Sequence, residues 1–468
     1  MSLFLVGSVV SSHPWKPGHF VIIDTDGGAD DMRTICMMLA SPDIRVLGIT
    51  VSPGELPAPE VYVRTSSLLY SLHHEGIPVG INYTRVIKPR DSRSMADAAW
   101  GDEKQVNPPS LTALSMMTYL MLHSDEKFTL VNLGTLNTLA LYADSLPDLF
   151  EKTQRILWAN DDCLPSKGMN YTRDPGSYKK LQKKGIAFET VAGEYSSWND
   201  FNQAIPGKLS SVNTAYAVPF RRSLDMTYPY GTGRFDELTA VYLHHPDLFE
   251  TVTIRGLKKH ILKAEAGTER LAEAFRNILA GETVPMNQVL ASFSLEKTDY
   301  YEDVQPMMEK TLALHGKQEW VAAVMANEMH RHLGVYSIIG VKMGIRAMEY
   351  FGAGVDELTV VSYAGMVPPF SCLNDGLQVS TGATLGHGLI QVPETNHPRP
   401  EAEFTYLGKT IHLSLKAATA LEIASAIREL ESIHGINSNI YWELVRRLAL
   451  QYWQSLDRHD VFSIKVQD

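Results

Sequence analysis

The first two-thirds of this sequence alternates short apolar runs with stretches of helical periodicity, and that rhythm restricts the fold more than any other feature. FVIID (20–24), IRVLGITV (44–51), IPVGI (77–81), FTLVNLG (128–134), RILWAN (155–160) and IAFETVAG (186–193) read as strands. DDMRTICMMLAS (30–41), APEVYVRTSSLLYSLHHEG (58–76) and TLNTLALYADSL (135–146) read as helices between them. Nearly continuous apolar runs suit strands buried on both faces, as when helices cover a mostly parallel sheet. The alternation therefore predicts an α/β fold that binds its ligand beyond the carboxyl ends of the strands.

The rhythm breaks over TVPMNQVLASFSLEKTDYYE (283–302). Beyond it come a long helical stretch (303–334), a second helix to residue 352, the strand LTVVSYA (358–364), a helix near 375 and the hairpin AEFTYLGKTIHLSLK (402–416). We read residues 1–18 as an N-terminal extension, 19–294 as the α/β domain and 295–468 as a smaller α+β domain. A chain of 468 residues is of a length for such a division.

The net charge of −11 argues against nonspecific binding of nucleic acid, whose phosphates need a basic surface. No window approaches ~18 consecutive apolar residues, so no membrane span is expected. The opening MSLFLVGSVVSSHPWK lacks a basic segment and a small-residue cleavage site, so no signal peptide is expected. Cys36, Cys163 and Cys372 are too few and too scattered for a disulfide framework, and a cytoplasmic location is the expectation.

The first apolar run ends in Asp24, Asp26, Asp30 and Asp31, with Gly27 and Gly28 between the pairs. Two like charges ~4 Å apart at an effective dielectric of 20 repel by about 4 kcal/mol. A hard divalent cation, Ca2+ or Mg2+, offsets that repulsion by taking several oxygen ligands. Capping of the following helix explains one aspartate, or two. It does not explain Asp24 and Asp26 at the end of a buried strand. Trp158 and Asn160 end the strand RILWAN and Asp161 follows it, so all three belong near the same edge. Trp158 reads as core and Asn160 as a contact to the ligand. Cys36 reads as packing, and His244 and His245 as the end of a helix from residue 236, where cations favour the dipole.

DTDGGADD (24–31) resembles the N-terminal signature of the inosine-uridine-preferring nucleoside hydrolases. VLGITVSPG (46–54), LVNLGTLNTLALYAD (130–144), NYTRDPGS (170–177) and FDELTAVYLHHPDLFE (235–250) resemble the family's later elements in order. The resemblance implies a Ca2+ site formed by Asp26, Asp31, Asp236 and the backbone carbonyl of Leu133. It makes Asp26 the general base toward a metal-activated water, Asp30 and Asn170 ribose contacts, and Asp24 a supporting carboxylate behind them. This chain departs from the pattern at four places. Gly27 replaces a proline, Glu55 a loop asparagine, Gly168 a glutamate and Phe235 a histidine associated with the leaving base. The metal ligands survive while the substrate contacts are rewritten, which points to non-standard specificity.

EMHRHLGVYSIIG (328–340) and PPFSCLNDGLQVSTGATLGHGLI (368–390) resemble the family named for the E component of formylmethanofuran dehydrogenase. Cys372, Asp375 and Gln378 match its middle element, while Ala383 and Gly334-Val335 stand where the family has cysteines and a proline. His330, His332 and Cys372 are borderline-soft donors suited to Zn2+. The spacing of the two histidines suits a loop or helix start, and Asp375 and His387 are further polar groups for such a site.

Together these features describe an N-ribohydrolase: calcium-dependent hydrolysis of the N-glycosidic bond of a ribonucleoside or related ribosyl compound, with a second metal-binding domain. The alternative is a protein that binds a ribosyl ligand and metal without turnover. A small ribosyl substrate, no nucleic acid, no membrane and a homo-oligomer are the expected partners.

Overall fold

The structure is a computed structural model, and it describes residues 17–83, 99–103, 106–160, 162, 167–192, 197–226, 236–254, 256–282, 290 and 292–467. Asp161, Cys163 and Phe235, singled out above, lie outside the described residues. No helix among the described residues is long and apolar enough to cross a membrane.

The expected α/β alternation is present. Its strands are β1 (His19–Thr25), β2 (Ile44–Val51), β3 (Val79–Ile81), β4 (Leu111–Thr112), β5 (Phe128–Asn132), β6 (Thr153–Asn160), β7 (Glu189–Ala192), β8 (Phe249–Ile254) and β9 (Leu257–Leu262). They form one sheet in the order β4-β3-β2-β1-β5-β6-β7-β9-β8. Every neighbouring pair is parallel except β8 with β9. That hairpin escapes sequence reading because FETVTI and LKKHIL carry exposed polar residues instead of an apolar run.

In β1, Val21 and Ile23 enter one core while Ile22 enters the core on the opposite face. A strand with two buried faces needs apolar residues at successive positions, which is why β1 reads as a continuous run. The chain leaves β1 toward β2, β3 and β4, then returns to place β5 on the other side of β1. The carboxyl ends of β1 and β5 thus form the switch point at which such sheets bind ligands.

A second sheet contains β10 (Thr359–Ser362), β11 (Ile390–Gln391), β12 (Glu401–Tyr406), β13 (Lys409–Leu415) and β14 (Phe462–Gln467), in the order β11-β10-β12-β13-β14. It shares a separate core with the helix Val335–Phe351, whose residues are buried from Val335 through Met348. The two units meet through charged and polar contacts. Arg45 Nε lies 2.7 Å from Glu357. Arg346 Nη2 donates to Glu75 at 2.9 Å. The backbone N–H of Gly76 donates to Tyr350 O at 2.7 Å.

Candidate active site

β1 delivers Asp24 and Asp26 to the switch point, and the helix Ala29–Ala40 begins at once with Asp30 and Asp31 in its first turn. Gly27 makes the bend with φ +84°. Proline is locked near φ −65°, so the Gly27 substitution changes the path of the loop and is no neutral exchange. Asp236 arrives from the far end of the domain, immediately before the helix Glu237–His244.

Asp30, Asp31 and Asp236 each place one carboxylate oxygen within 4.8 Å of the others. Asp31 and Asp236 are 2% and 5% exposed. Asp31 Oδ2 accepts from Thr25 Oγ1 at 2.6 Å and from the Asp26 backbone N–H at 2.8 Å, which ties the cluster to the end of β1. A Cβ at Gly28 would lie 2.8 Å from Asp30 Oδ1 and 3.0 Å from Asp31 Oδ1, so a side chain there would fill the space these oxygens share.

Burial raises the Asp30 carboxyl to about 7, with Asp31 repelling its charge. Burial likewise raises Asp236, with Asp30 and Asp31 adding to the effect. Asp26 is raised by burial and by Asp31, while Arg173 opposes the shift. Close, buried carboxylates that resist ionising together fit a divalent cation, which removes the repulsion. The donors in this set are all hard oxygens, the set that favours Ca2+ or Mg2+ over softer metals. Behind the cluster, Arg33 Nε donates to Glu237 at 2.5 Å in a fully buried pair.

Other expected positions differ. Asp26 stands outside the three-carboxylate set: its Oδ2 lies 3.3 Å from Arg173 Nη1, and the other arm of that guanidinium is paired with Glu55. Asp30, read as a ribose contact, takes Asp26's place in the set. The Leu133 carbonyl accepts from Asn170 Nδ2 at 2.7 Å, and the same amide reaches Ala159 O at 3.3 Å. Asn170 therefore orders backbone with its amide nitrogen.

Asn160 is 1% exposed and donates to Asp162 O at 2.6 Å. A Cβ at Gly168 would lie 2.0 Å from Asn160 Oδ1, so the glutamate of the family pattern would require the Asn160 side chain to move. Asp24 is buried and accepts from Thr50 Oγ1 at 2.7 Å and Ser52 Oγ at 3.2 Å. Burial, partly offset by those hydroxyls, raises it to about 7. Trp158 is core and donates Nε1–H to Gly134 O at 3.0 Å. His244 ends its helix as expected, yet burial lowers it to about 3, so it carries no charge for the dipole at neutral pH.

Arg173 is the functional candidate that sequence reasoning missed. Its signal was a cation inside NYTRDPGS, but its reach to Asp26, 147 positions away, is a tertiary fact.

In the second unit the rings of His330 and His332 lie 4.2 Å apart, but Cys372 does not complete a ligand set with them. Among the described residues the acidic trio is the group of potential ligands within 4.8 Å, and His330, His332 and Cys372 form no such group. His330 is the last residue of the helix Met308–His330, and His332 lies in the short loop before the helix Val335–Phe351, one of the two settings the spacing suited. It commits Nδ1 to Asp375 Oδ2 at 2.6 Å, while His332 packs edge-on to Trp442 with ring centroids 5.3 Å apart. Burial pushes the Cys372 thiol up to about 11.

Comparison with known proteins follows the same division. Residues 21–287 match the family described as inosine-uridine preferring nucleoside hydrolase. Residues 329–447 match the family described as FmdE, molybdenum formylmethanofuran dehydrogenase operon. The chain is 24% identical over 255 residues to the pyrimidine-specific ribonucleoside hydrolase RihA of Enterobacter sp. (strain 638), covering 50% of this chain and 81% of that protein. It is 24% identical over 257 residues, with the same coverage, to the protein of that name from Escherichia coli (strain SMS-3-5 / SECEC). Among solved structures, the inosine-uridine preferring nucleoside hydrolase from Bacillus anthracis aligns with a TM-score of 0.48 and 16% identity, over 56% of this chain and 99% of that one.

Proposed function

Because this chain belongs to the inosine-uridine preferring nucleoside hydrolase family through residues 21–287, we propose that its large sheet carries a cation-dependent N-ribohydrolase site for a ribonucleoside or related ribosyl compound. The observation that carries this reading is the buried Asp30–Asp31–Asp236 set at the carboxyl end of β1, beside Asp26. Asp30, Asp31 and Asp236 would hold Ca2+. When bound, such an ion supplies a Lewis-acid centre that orients a water and lowers its pKa. We place the division between the units at 294/295 and assign the chemistry to the N-terminal one.

Asp26 accepts the proton of the attacking water. Burial and Asp31 hold its carboxyl above the ordinary aspartate range, and its backbone N–H is bonded to Asp31, so it stands beside the trio as the group to take that proton. As the water oxygen bonds to the anomeric carbon, the C–N bond breaks and its electron pair leaves with the base, through an oxocarbenium-like transition state. Phe235 cannot protonate that base. Substrates whose leaving group needs no proton, such as p-nitrophenyl riboside, should therefore turn over faster than inosine or uridine.

The test is sugar release from purine and pyrimidine ribonucleosides and p-nitrophenyl riboside, with Ca2+ and with chelator. Calcium-dependent release that disappears in Asp26→Asn is the expected result. Calcium binding with no release from any substrate would instead support ribosyl-ligand binding without turnover. Arg173, paired with Asp26 at 3.3 Å, is the observation that favours that second reading.

Gly54 offers an independent check on Asp26. A Cβ there would lie 2.0 Å from Asp26 Oδ2. Gly54→Ala must therefore move the carboxylate, and displacements of ~1 Å cost on the order of 100-fold in rate. We expect kcat/KM to fall by at least that much while the circular dichroism spectrum stays unchanged. Full activity in Gly54→Ala would show that Asp26 does not act from the position it holds against Gly54.

A further inference from the structure

Arg173 ends the short helix Met169–Arg173, and its side chain is 15% exposed against 4% for Asp26. One arm of the guanidinium lies 3.3 Å from Asp26 Oδ2 and the other is paired with Glu55. The Asp26 backbone N–H is bonded to Asp31, yet the Asp26 carboxylate is not among the three gathered oxygens. Its Oδ2 instead lies against Gly54, toward the loop that carries Glu55.

We propose that Arg173 is a resident counter-ion of the carboxylate cluster, holding Asp26 away from the cation seat until a divalent cation draws it over. The inference rests on the cation-dependent reading above. The physical reason is the cost of an unpaired buried carboxylate. Asp26 without a cationic partner is strongly disfavoured, and the Arg173 guanidinium 3.3 Å away supplies one. A planar fork suits this role because it bridges two carboxylates at once, which an ammonium cannot do with the same geometry.

Glu55 keeps the second arm in place. Arg173 can then release Asp26 without entering solvent, and it regains Asp26 when the cation leaves. Cation affinity is therefore lowered by the fraction of molecules in which Asp26 is engaged. Two cations, one built in and one bound, alternate on the same carboxylate.

The experiment is calorimetric titration of Ca2+ into chelator-stripped full-length protein, comparing the unmodified chain with Arg173→Met and Arg173→Lys. Arg173→Met should bind Ca2+ about tenfold or more tightly, because Asp26 is no longer held back. Arg173→Lys keeps the charge but not the fork and should fall between. In chelator, Arg173→Met should melt below the unmodified protein, since Asp26 and Glu55 lose their shared partner. Damage to the fold would weaken binding, so tightening cannot arise from it. If Arg173→Met does not fold, Arg173→Lys must by itself bind more tightly than the unmodified chain. Equal or weaker binding by the variants, with the unmodified chain binding normally, overturns the counter-ion role and leaves the cation site standing. Absence of Ca2+ binding in all three proteins overturns both.

Discussion

Asp31→Asn is expected to lower calcium-dependent sugar release by about three orders of magnitude, a barrier increase of about 4 kcal/mol. Asp31 belongs to the gathered trio, and its Oδ2 accepts from Thr25 Oγ1 and from the backbone N–H of Asp26. The variant's amide oxygen can keep the anchor, so the local backbone should hold. What is lost is the charge that makes the trio a cation seat. The amide nitrogen then turns toward Asp30 and Asp236 and donates where Asp31 repelled. The chelator-treated variant should accordingly melt no lower than the chelator-treated parent. Activity within tenfold of the parent, or a clear loss of metal-free stability, would contradict this account of the cluster.

The second large effect is expected far from that site. Glu319 and Lys342 are 0% and 1% exposed at their side chains, with Lys342 Nζ 2.5 Å from Glu319 Oε1. Arg458 approaches the other oxygen of Glu319 at 3.1 Å and also pairs with Glu349 at 2.6 Å. Glu319→Ala strands a buried ammonium, and removal of one partner of such a pair costs about 3–5 kcal/mol. Lys342→Met should cost less, because Glu319 keeps Arg458. Glu319→Leu combined with Lys342→Met should recover much of the loss, since apolar groups of similar volume often replace a buried pair without penalty. Urea midpoints at constant slope measure all three. A Glu319→Ala midpoint indistinguishable from the parent would show that water reaches the pair.

Much of the N-terminal fold was legible because its strands announce themselves. IRVLGITV became β2 over Ile44–Val51, and RILWAN lies within β6 over Thr153–Asn160. Both are buried on two faces near the middle of the sheet, so apolar content alone marks them. The helix Ala58–Ser71 was equally plain, though it stops short of the expected end, where His73 takes φ +61°. The β8–β9 hairpin at the sheet edge was not legible, because one exposed face dilutes the apolar signal.

At the candidate site the sequence determined the chemistry: carboxylates in number, at a strand end, with glycines between them. Local spacing sufficed for that, since Asp26 and Asp31 are five residues apart and must emerge at one edge. Which carboxylates converge was decided only by tertiary structure. Asp236 comes from the other end of the domain, Arg173 reaches Asp26 across 147 positions, and Glu55 enters from the loop after β2. In the second unit, His330, His332 and Cys372 matched a motif, and the two histidine rings lie 4.2 Å apart with His330 paired to Asp375, yet among the described residues the three form no complete ligand set. Residue type and short-range periodicity are written in the chain. Charge partners between distant segments are chosen by how burial leaves each ionised group no other neighbour, and that choice exists only once the chain has folded.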